Sequence, residues 1–180
     1  MNQDIGRAIV FSMPVVSAAV SLILISLDTT RSSNTVDRKI HYNMIAVYCL
    51  MILFWSGLVM HSIARDTFIA YLPVFFSSFA FIPVFLYRIT HIITDTGERK
   101  LFPACHFILP ACLTLIICAI ALAVPLRQRW AAIYDNEVNL TSAIIDITFI
   151  VCILLCILYS WLSLLRIKSY KRKIIDYSAD

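Results

Sequence analysis

Charged residues are scarce in this chain, and their scarcity limits the class of protein it can be. They make up 14% of the 180 residues, whereas soluble domains carry about 25%. Hydrophobic residues make up 61%, and the mean hydropathy is +0.85. We therefore expect no separate soluble domain within a chain this short and this apolar.

The motifs of common enzymes and metal sites are also missing. The sequence has no nucleophile elbow, P-loop, HExxH or CxxC motif, and no pair of acids within an apolar run. Cys105 and His106 are neighbours, but adjacent residues of a helix point about 100° apart and make a poor ligand pair. All six cysteines lie inside apolar runs, which implies no disulfide framework. We expect no catalytic residue, no metal and no cofactor.

Long apolar runs take the place of these motifs. There are five of them, at residues 8–27, 42–60, 68–87, 102–126 and 140–165. Only His106 interrupts the fourth run and only Asp146 the fifth. A helix needs about 20 apolar residues to cross the roughly 30 Å hydrocarbon core of a bilayer. The sequence therefore predicts an all-α, multi-pass membrane bundle of five transmembrane helices over residues 1–166.

The positive charges between the runs give this topology a direction. Of the 15 Lys and Arg residues, eleven fall on one side of the predicted membrane and four on the other. The positive-inside rule places the richer side in the cytoplasm, so the N-terminus is outside and the C-terminus is cytoplasmic. A cleaved signal peptide would carry basic residues before its apolar run, but here only Arg7 precedes the first run and the basic cluster follows it.

Asp146 is the sharpest candidate for function within the spans. An acid near the centre of a membrane helix costs about 2.5–3.5 kcal/mol on insertion scales, and such a residue usually faces the interior of the bundle. Its helix carries a weak polar stripe that should face the other helices, formed by Ser142, Asp146, Cys156, Ser160 and Ser163. Two interpretations stay open: an outward-opening pocket for a ligand or a proton, built around Asp146 and Ser142, or an aspartate that is hydrogen-bonded to a neighbouring helix or wetted at the interface.

His106 is the second candidate. It lies about one turn inside the fourth run and can titrate near neutral pH. It can equally be hydrogen-bonded to a neighbour or reach the headgroups. Pro110 follows it and is expected to kink the helix, as are Pro14 and Pro83 in other spans.

Two further patterns concern helix packing. The third run places four rings on one face, which suits helix packing or lipid contact and also an aromatic pocket: Phe68, Tyr71, Phe75 and Phe79. Ser17 and Ser21 in the first run form a small-xxx-small pair, which leaves a homodimer open.

The fifth span continues without Gly or Pro into a basic stalk at residues 167–180. Basic residues next to a cytoplasmic membrane surface each attract anionic lipid by about 1 kcal/mol. We expect five of them to contact lipid: Arg166, Lys168, Lys171, Arg172 and Lys173.

Several short segments, in this order and spacing, carry a resemblance that covers essentially the whole chain. They are residues 85–88 (FLYR), 92–98 (IITDTGE), 106–110 (HFILP), 124–127 (VPLR), 132–134 (AIY), 170–173 (YKRK) and 176–178 (DYS). With them the chain resembles the N-terminal membrane domain of membrane-bound AraC-type transcription regulators of Bacteroides-like bacteria. The resemblance implies a sensing and anchoring role in the bacterial inner membrane. In that family a DNA-binding helix-turn-helix domain follows the stalk, at the point where this sequence ends, so the chain itself should contact no nucleic acid.

Two hypotheses therefore remain for the function. In the first, the chain is a membrane sensor that detects an unknown ligand and signals through its last helix to a cytoplasmic effector. In the second, it is a self-contained small membrane protein, such as a transporter subunit or an assembly factor.

Overall fold

The computed structural model describes residues 2–31, 34–95, 102–135 and 139–178. Almost all of this chain is helical, in the order α1 (Asn2–Arg31), α2 (Thr35–Ile63), α3 (Arg65–Ile93), a 3₁₀ turn (Ala104–Phe107), α4 (Ile108–Ala123), α5 (Leu126–Tyr134) and α6 (Leu140–Ser178). Five of the helical segments are long and apolar enough to cross a membrane, and only α5 is too short. The prediction of an all-α fold with five such helices is confirmed.

The fourth predicted span differs from the structure at its end. We predicted one span over residues 102–126, but α4 ends at Ala123 and a separate helix, α5, starts at Leu126. The backbone of Val124 is extended, with φ −102° and ψ 126°. A clash with the proline ring disfavours the helical region for the residue before a proline, which agrees with the end of α4 at Ala123, and Pro125 is the N-cap residue of α5.

Helix α3 lies at the centre of the bundle. It packs against α2 on one side and against α4 and α6 on the other, while α1 packs along α2 at the edge. The core consists largely of α3 side chains and the faces of α4 and α6 that meet them, including Leu72, Ala80, Ile117 and Cys152. Because α3 contacts most of the other helices, it positions the groups at both ends of α6.

The aromatic face of α3 packs against α2. Phe75 stacks on Phe54 with ring centroids 5.0 Å apart, and the Tyr71 hydroxyl donates a hydrogen bond to the Leu53 carbonyl at 2.9 Å. Gly57 permits this close approach, since a Cβ atom built there would lie 2.6 Å from Cδ2 of Phe75. Of the alternatives left open by the sequence, the structure therefore places this face in helix packing.

Two of the prolines free a backbone carbonyl that another part of the chain then binds. Proline has no N–H group, so the carbonyl four residues earlier loses its helical donor. Pro73 in α3 frees the carbonyl of Ile69, and Pro110 frees that of His106. Pro110 lies in the first turn of α4, directly after the 3₁₀ turn, so it marks the start of the helix instead of a kink within it.

Candidate functional site at the two ends of the last helix

The long helix α6 contacts the bundle at both ends, and the candidate functional groups lie there. We call the end that holds residue 2, the α2–α3 turn at Ala64, α5 and the start of α6 the N-terminal end. The C-terminal end holds the last turn of α3, the 3₁₀ turn and the point at which α6 leaves the bundle.

At the C-terminal end, Tyr159 of α6 binds His106 twice. The Tyr159 hydroxyl donates to the His106 carbonyl at 3.2 Å and lies 3.1 Å from Nδ1 of the same residue. The carbonyl is available because Pro110 cannot donate to it. The donor and acceptor roles in the contact with Nδ1 depend on the tautomer of the imidazole. Tyr159 thus joins α6 to the 3₁₀ turn through both the backbone and the side chain of His106.

Aromatic rings surround this pair. The rings of Tyr87 and Phe102 lie 5.3 and 5.0 Å from the imidazole of His106, and Tyr87 lies 5.6 Å from Tyr159. His106 is only partly exposed, and of the alternatives that the sequence left open, the structure shows the hydrogen-bonded one.

Arg166 makes the second contact between α6 and the bundle at this end. Its Nε donates to the Thr94 hydroxyl at 2.7 Å, and that hydroxyl donates in turn to the Thr90 carbonyl at 2.7 Å. Thr94 caps the C-terminus of α3, where the last helical carbonyls need donors. Arg166 thus differs from the other predicted lipid-contacting residues, which are exposed on the stalk: Lys168, Lys171, Arg172 and Lys173.

His91 completes this end of the bundle and was not among the candidate residues predicted from the sequence. It is 7% exposed, its ring lies 5.5 Å from that of Phe102, and Arg166 and His106 are close enough to act on it electrostatically. One face of α3 carries Tyr87, His91 and Thr94, at intervals of four and three residues. This spacing was the signal in the sequence that could have identified His91. We call the whole group the His–Tyr junction, which consists of Tyr87, His91, Thr94, Phe102, His106, Tyr159 and Arg166.

At the N-terminal end, Arg129 of α5 is the main polar contact. It is 7% exposed, and its guanidinium donates to the Ile69 carbonyl through Nη1 and to the Val124 carbonyl through Nε, both at 3.1 Å. The Ile69 carbonyl is the one that Pro73 frees. Arg129 therefore holds α5 against α3. From the sequence, Arg129 was predicted only as a charged loop residue.

Tyr134 closes the same end of the bundle. Its ring stacks on His61 at 5.4 Å, packs against Trp130 at 5.4 Å, and lies 5.1 Å below the guanidinium of Arg65. The Tyr134 hydroxyl is buried and has no hydrogen-bond partner among the residues that the structure describes. Burial raises the pKa of this hydroxyl, because the charged form would lose its hydration.

Asp146 is exposed, and the pocket predicted around it stays a prediction. Ser142 instead caps α6: its N–H donates to Oδ1 of Asn139 at 2.9 Å, and its hydroxyl donates to the Asn139 carbonyl at 2.8 Å. Asp146 and Ser160 are exposed, so the prediction that the polar stripe faces the other helices is wrong for both. The face of α6 that packs on the bundle is rotated away from this stripe and consists of Ile145, Thr148, Cys152, Leu155 and Tyr159.

Neither protein-family models, nor curated proteins, nor solved structures match this chain. The assignment of function therefore depends on the resemblance stated above and on the geometry of the two ends of α6.

Proposed function

We propose that this chain is the sensing and anchoring module of a membrane-tethered regulator in a bacterial inner membrane. Its N-terminus is outside, and α6 passes a signal to a cytoplasmic effector beyond the stalk. The distribution of the basic residues supports this orientation, and the resemblance to the membrane domains of AraC-type regulators supports the kind of effector. DNA would be contacted only through that effector domain.

The continuity of α6 is the observation that carries the proposal. The helix runs for 39 residues from Leu140 to Ser178, which is about 58 Å at 1.5 Å per residue. Roughly 12 of these residues follow Arg166, which is the last residue of α6 in the His–Tyr junction. A helix is stiff over this length, so a displacement at its N-terminal end moves the stalk as well.

The contacts of α6 support a movable element. It packs mainly along α3 and meets α4 only slightly. Its polar contacts at the His–Tyr junction are the hydroxyl of Tyr159 and the guanidinium of Arg166. Such a small set of directional bonds can be exchanged for another at low cost, as signalling by a two-state element requires.

Two observations test the proposal. Reporter fusions after Lys100 and after Asp180 should both be active in the cytoplasm. The DNA beyond codon 180 should encode a helix-turn-helix domain in frame. A stop codon at that position, together with a tail bound to the membrane surface, would favour the self-contained membrane protein instead.

A functional test follows if that domain is present. Tyr159→Phe should change the output of a promoter reporter when that output is divided by the amount of protein in the membrane. The matched control is Tyr134→Phe, because the Tyr134 hydroxyl has no hydrogen-bond partner and lies at the other end of the bundle. If both variants leave the output unchanged, α6 does not transmit through the His–Tyr junction.

A further inference from the structure

A groove between α1 and α2 carries polar groups from the end of the first apolar run into the predicted membrane. Its volume is about 310 Å³, and its lining consists of Ser21, Leu24, Ile25 and Asp28 of α1 and Tyr48 of α2. Asp28 is the first residue after the first apolar run, and Ser21 lies about 10 Å deeper at 1.5 Å per residue. We call this feature the α1–α2 groove. Its volume is in the range of sites that bind small molecules.

Asp28 provides a negative charge at the mouth of the α1–α2 groove. Its Oδ2 lies 3.4 Å from Nε2 of His41, the residue directly before the second apolar run. The side chain of His41 is 14% exposed and that of Asp28 is 66% exposed, so the packing of α1 on α2 encloses the imidazole and leaves the carboxylate accessible. A carboxylate has about four acceptor positions on its two oxygens. Asp28 can therefore accept hydrogen bonds from a ligand while it stays in contact with His41.

Two hydroxyl groups lie deeper in the α1–α2 groove. Four other hydroxyls of α1 donate to carbonyls of their own helix, namely those of Ser12, Ser26, Thr29 and Thr30. The hydroxyls of Ser21 and Tyr48, in contrast, make no hydrogen bond to any residue that the structure describes. Each of them is free to donate to a ligand in the groove.

Basic residues surround the mouth of the α1–α2 groove. Arg31, Arg38 and Lys39 lie in the last turn of α1 and the first turns of α2, and all three are exposed. Arg31 follows Asp28 by three residues, so the two side chains lie on the same side of α1. We call these three residues the basic rim. The mouth thus combines a carboxylate inside the groove with cations around it, and the apolar side chains of Leu24 and Ile25 continue below.

We propose that the α1–α2 groove binds a phospholipid with a primary ammonium headgroup, a phosphatidylethanolamine. The ammonium group donates to Asp28, and the basic rim attracts the adjacent phosphate. The hydroxyls of Ser21 and Tyr48 donate to the ester carbonyls, which lie deeper in the bilayer than the headgroup. One acyl chain then follows Leu24 and Ile25. This inference is independent of the proposed function, because it requires only that α1 and α2 cross a bilayer.

The charges of the α1–α2 groove favour this lipid over two other common phospholipids. Phosphatidylglycerol is anionic and has no cation for Asp28, so the carboxylate repels it. Phosphatidylcholine has a cation, but its trimethylammonium group has no N–H and cannot donate to the carboxylate. A hydrogen bond between charged groups corresponds to about a tenfold difference in affinity or more. The groove should therefore discriminate among the three headgroups by at least this factor.

Native mass spectrometry of the full chain in detergent tests this preference. The three phospholipids, with identical acyl chains, are titrated separately, and the fraction of protein that carries one lipid gives the affinity. We expect phosphatidylethanolamine to bind at least about tenfold more tightly than the other two. Equal affinities would overturn the proposal. A preference for phosphatidylglycerol would also overturn it, because the basic rim alone would then account for binding.

Two pairs of variants locate the site. Asp28→Asn should weaken the binding of phosphatidylethanolamine about tenfold or more. Its control is Asp37→Asn, since Asp37 is an exposed acid in the first turn of α2 and does not line the groove. Equal effects of these two variants would exclude Asp28 as the ligand of the ammonium group.

The second pair separates loss of the site from loss of the fold. Tyr48→Phe keeps the ring and should weaken binding about threefold with an unchanged melting temperature, because it removes one neutral hydrogen bond to the lipid. Tyr42→Phe is the control, since Tyr42 is 58% exposed and lies outside the lining of the groove. Equal affinities of these two variants would contradict the role given to the Tyr48 hydroxyl.

A competition experiment distinguishes the lipid from a soluble amine. Free phosphoethanolamine carries the same two charges but has no ester carbonyl and no acyl chain. About a hundredfold excess of it should leave the bound lipid in place, because the charged contacts are only part of the binding energy. Displacement of the lipid at about equal concentrations would overturn the assignment to a lipid and identify a site for soluble amines. A stop codon after residue 180 would contradict the proposed function and leave all these binding results unchanged.

Discussion

Removal of the Tyr159 hydroxyl tests whether the freed carbonyl of His106 stabilises the bundle. Tyr159→Phe keeps the ring, which is 5% exposed and packs in the core, but removes both bonds to His106. The carbonyl then has no helical donor, because of Pro110, and Nδ1 loses its hydrogen-bond partner. A buried polar group without a partner costs about 1–3 kcal/mol. Both groups are only partly shielded, so we expect a total destabilisation of about 2 kcal/mol.

Tyr134→Phe is the matched control for this change. It removes the same atom from a tyrosine that is also packed among rings, but there the hydroxyl is buried without a partner. Removing an unpaired buried hydroxyl is neutral or stabilising, by up to about 1 kcal/mol. The two variants should therefore differ by about 2 kcal/mol or more.

The assay is thermal unfolding of the full chain in one detergent at one scan rate, followed by loss of helicity. For a chain of this length, 1 kcal/mol corresponds to about 2–4 °C in Tm. Tyr159→Phe should melt about 4–8 °C below the parent, and Tyr134→Phe at or slightly above it. If Tyr159→Phe melts within 1 °C of the parent, or if both variants fall equally, the freed carbonyl does not stabilise the fold.

Three further predictions concern other contacts. Arg129→Lys loses the two hydrogen bonds that the guanidinium donates to backbone carbonyls and should destabilise the bundle by about 1–3 kcal/mol. Arg127→Lys is the control, because Arg127 is exposed. Equal melting temperatures of the two variants would contradict the role assigned to Arg129. Gly57→Ala places a Cβ atom 2.6 Å from the ring of Phe75 and should lower the free energy of unfolding by about 1–3 kcal/mol. Gly6→Ala has open space around the new Cβ atom and should be neutral or slightly stabilising in the same melting assay. Burial raises the pKa of Tyr134, so the folded state favours the neutral hydroxyl and the parent should lose stability relative to Tyr134→Phe as the pH rises above about 10, the unfolded value. Parallel pH curves for the two proteins would show that this hydroxyl is not buried.

The five long helices were predictable from the sequence because each apolar run is long enough to span a bilayer whatever its neighbours are. The break after Ala123 also had a local signal, since Val124 precedes a proline and is therefore disfavoured in the helical region. We missed it because the residues on both sides are apolar, and the hydropathy of the run concealed the conformational signal.

The rotation of α6 was not predictable in the same way. Its polar stripe correctly identifies a distinct face, but a helix that is apolar on most sides can pack on any of them. The face chosen is the one on which Cys152 and Tyr159 fit against α3 and the 3₁₀ turn. Shape complementarity between distant segments decides this, and it has no local signature. Asp146 is exposed for this reason.

Arg129 escaped prediction because its partner is remote. Its burial depends on the Ile69 carbonyl, 60 residues away in sequence, which is free only because residue 73 is a proline. Each half of this pair looks ordinary alone: a loop arginine and a transmembrane proline. Only the fold brings them together.

The two freed carbonyls also determine the order in which parts of the fold can be completed during synthesis. The carbonyls of Ile69 and His106 have no donor until Arg129 and Tyr159 arrive, 60 and 53 residues later along the chain. A buried backbone group without a partner costs about 1–3 kcal/mol, so each of these two turns is completed only when the later helix packs against it. A chain interrupted before α6 would leave the His106 carbonyl without the donor that it has in the complete fold.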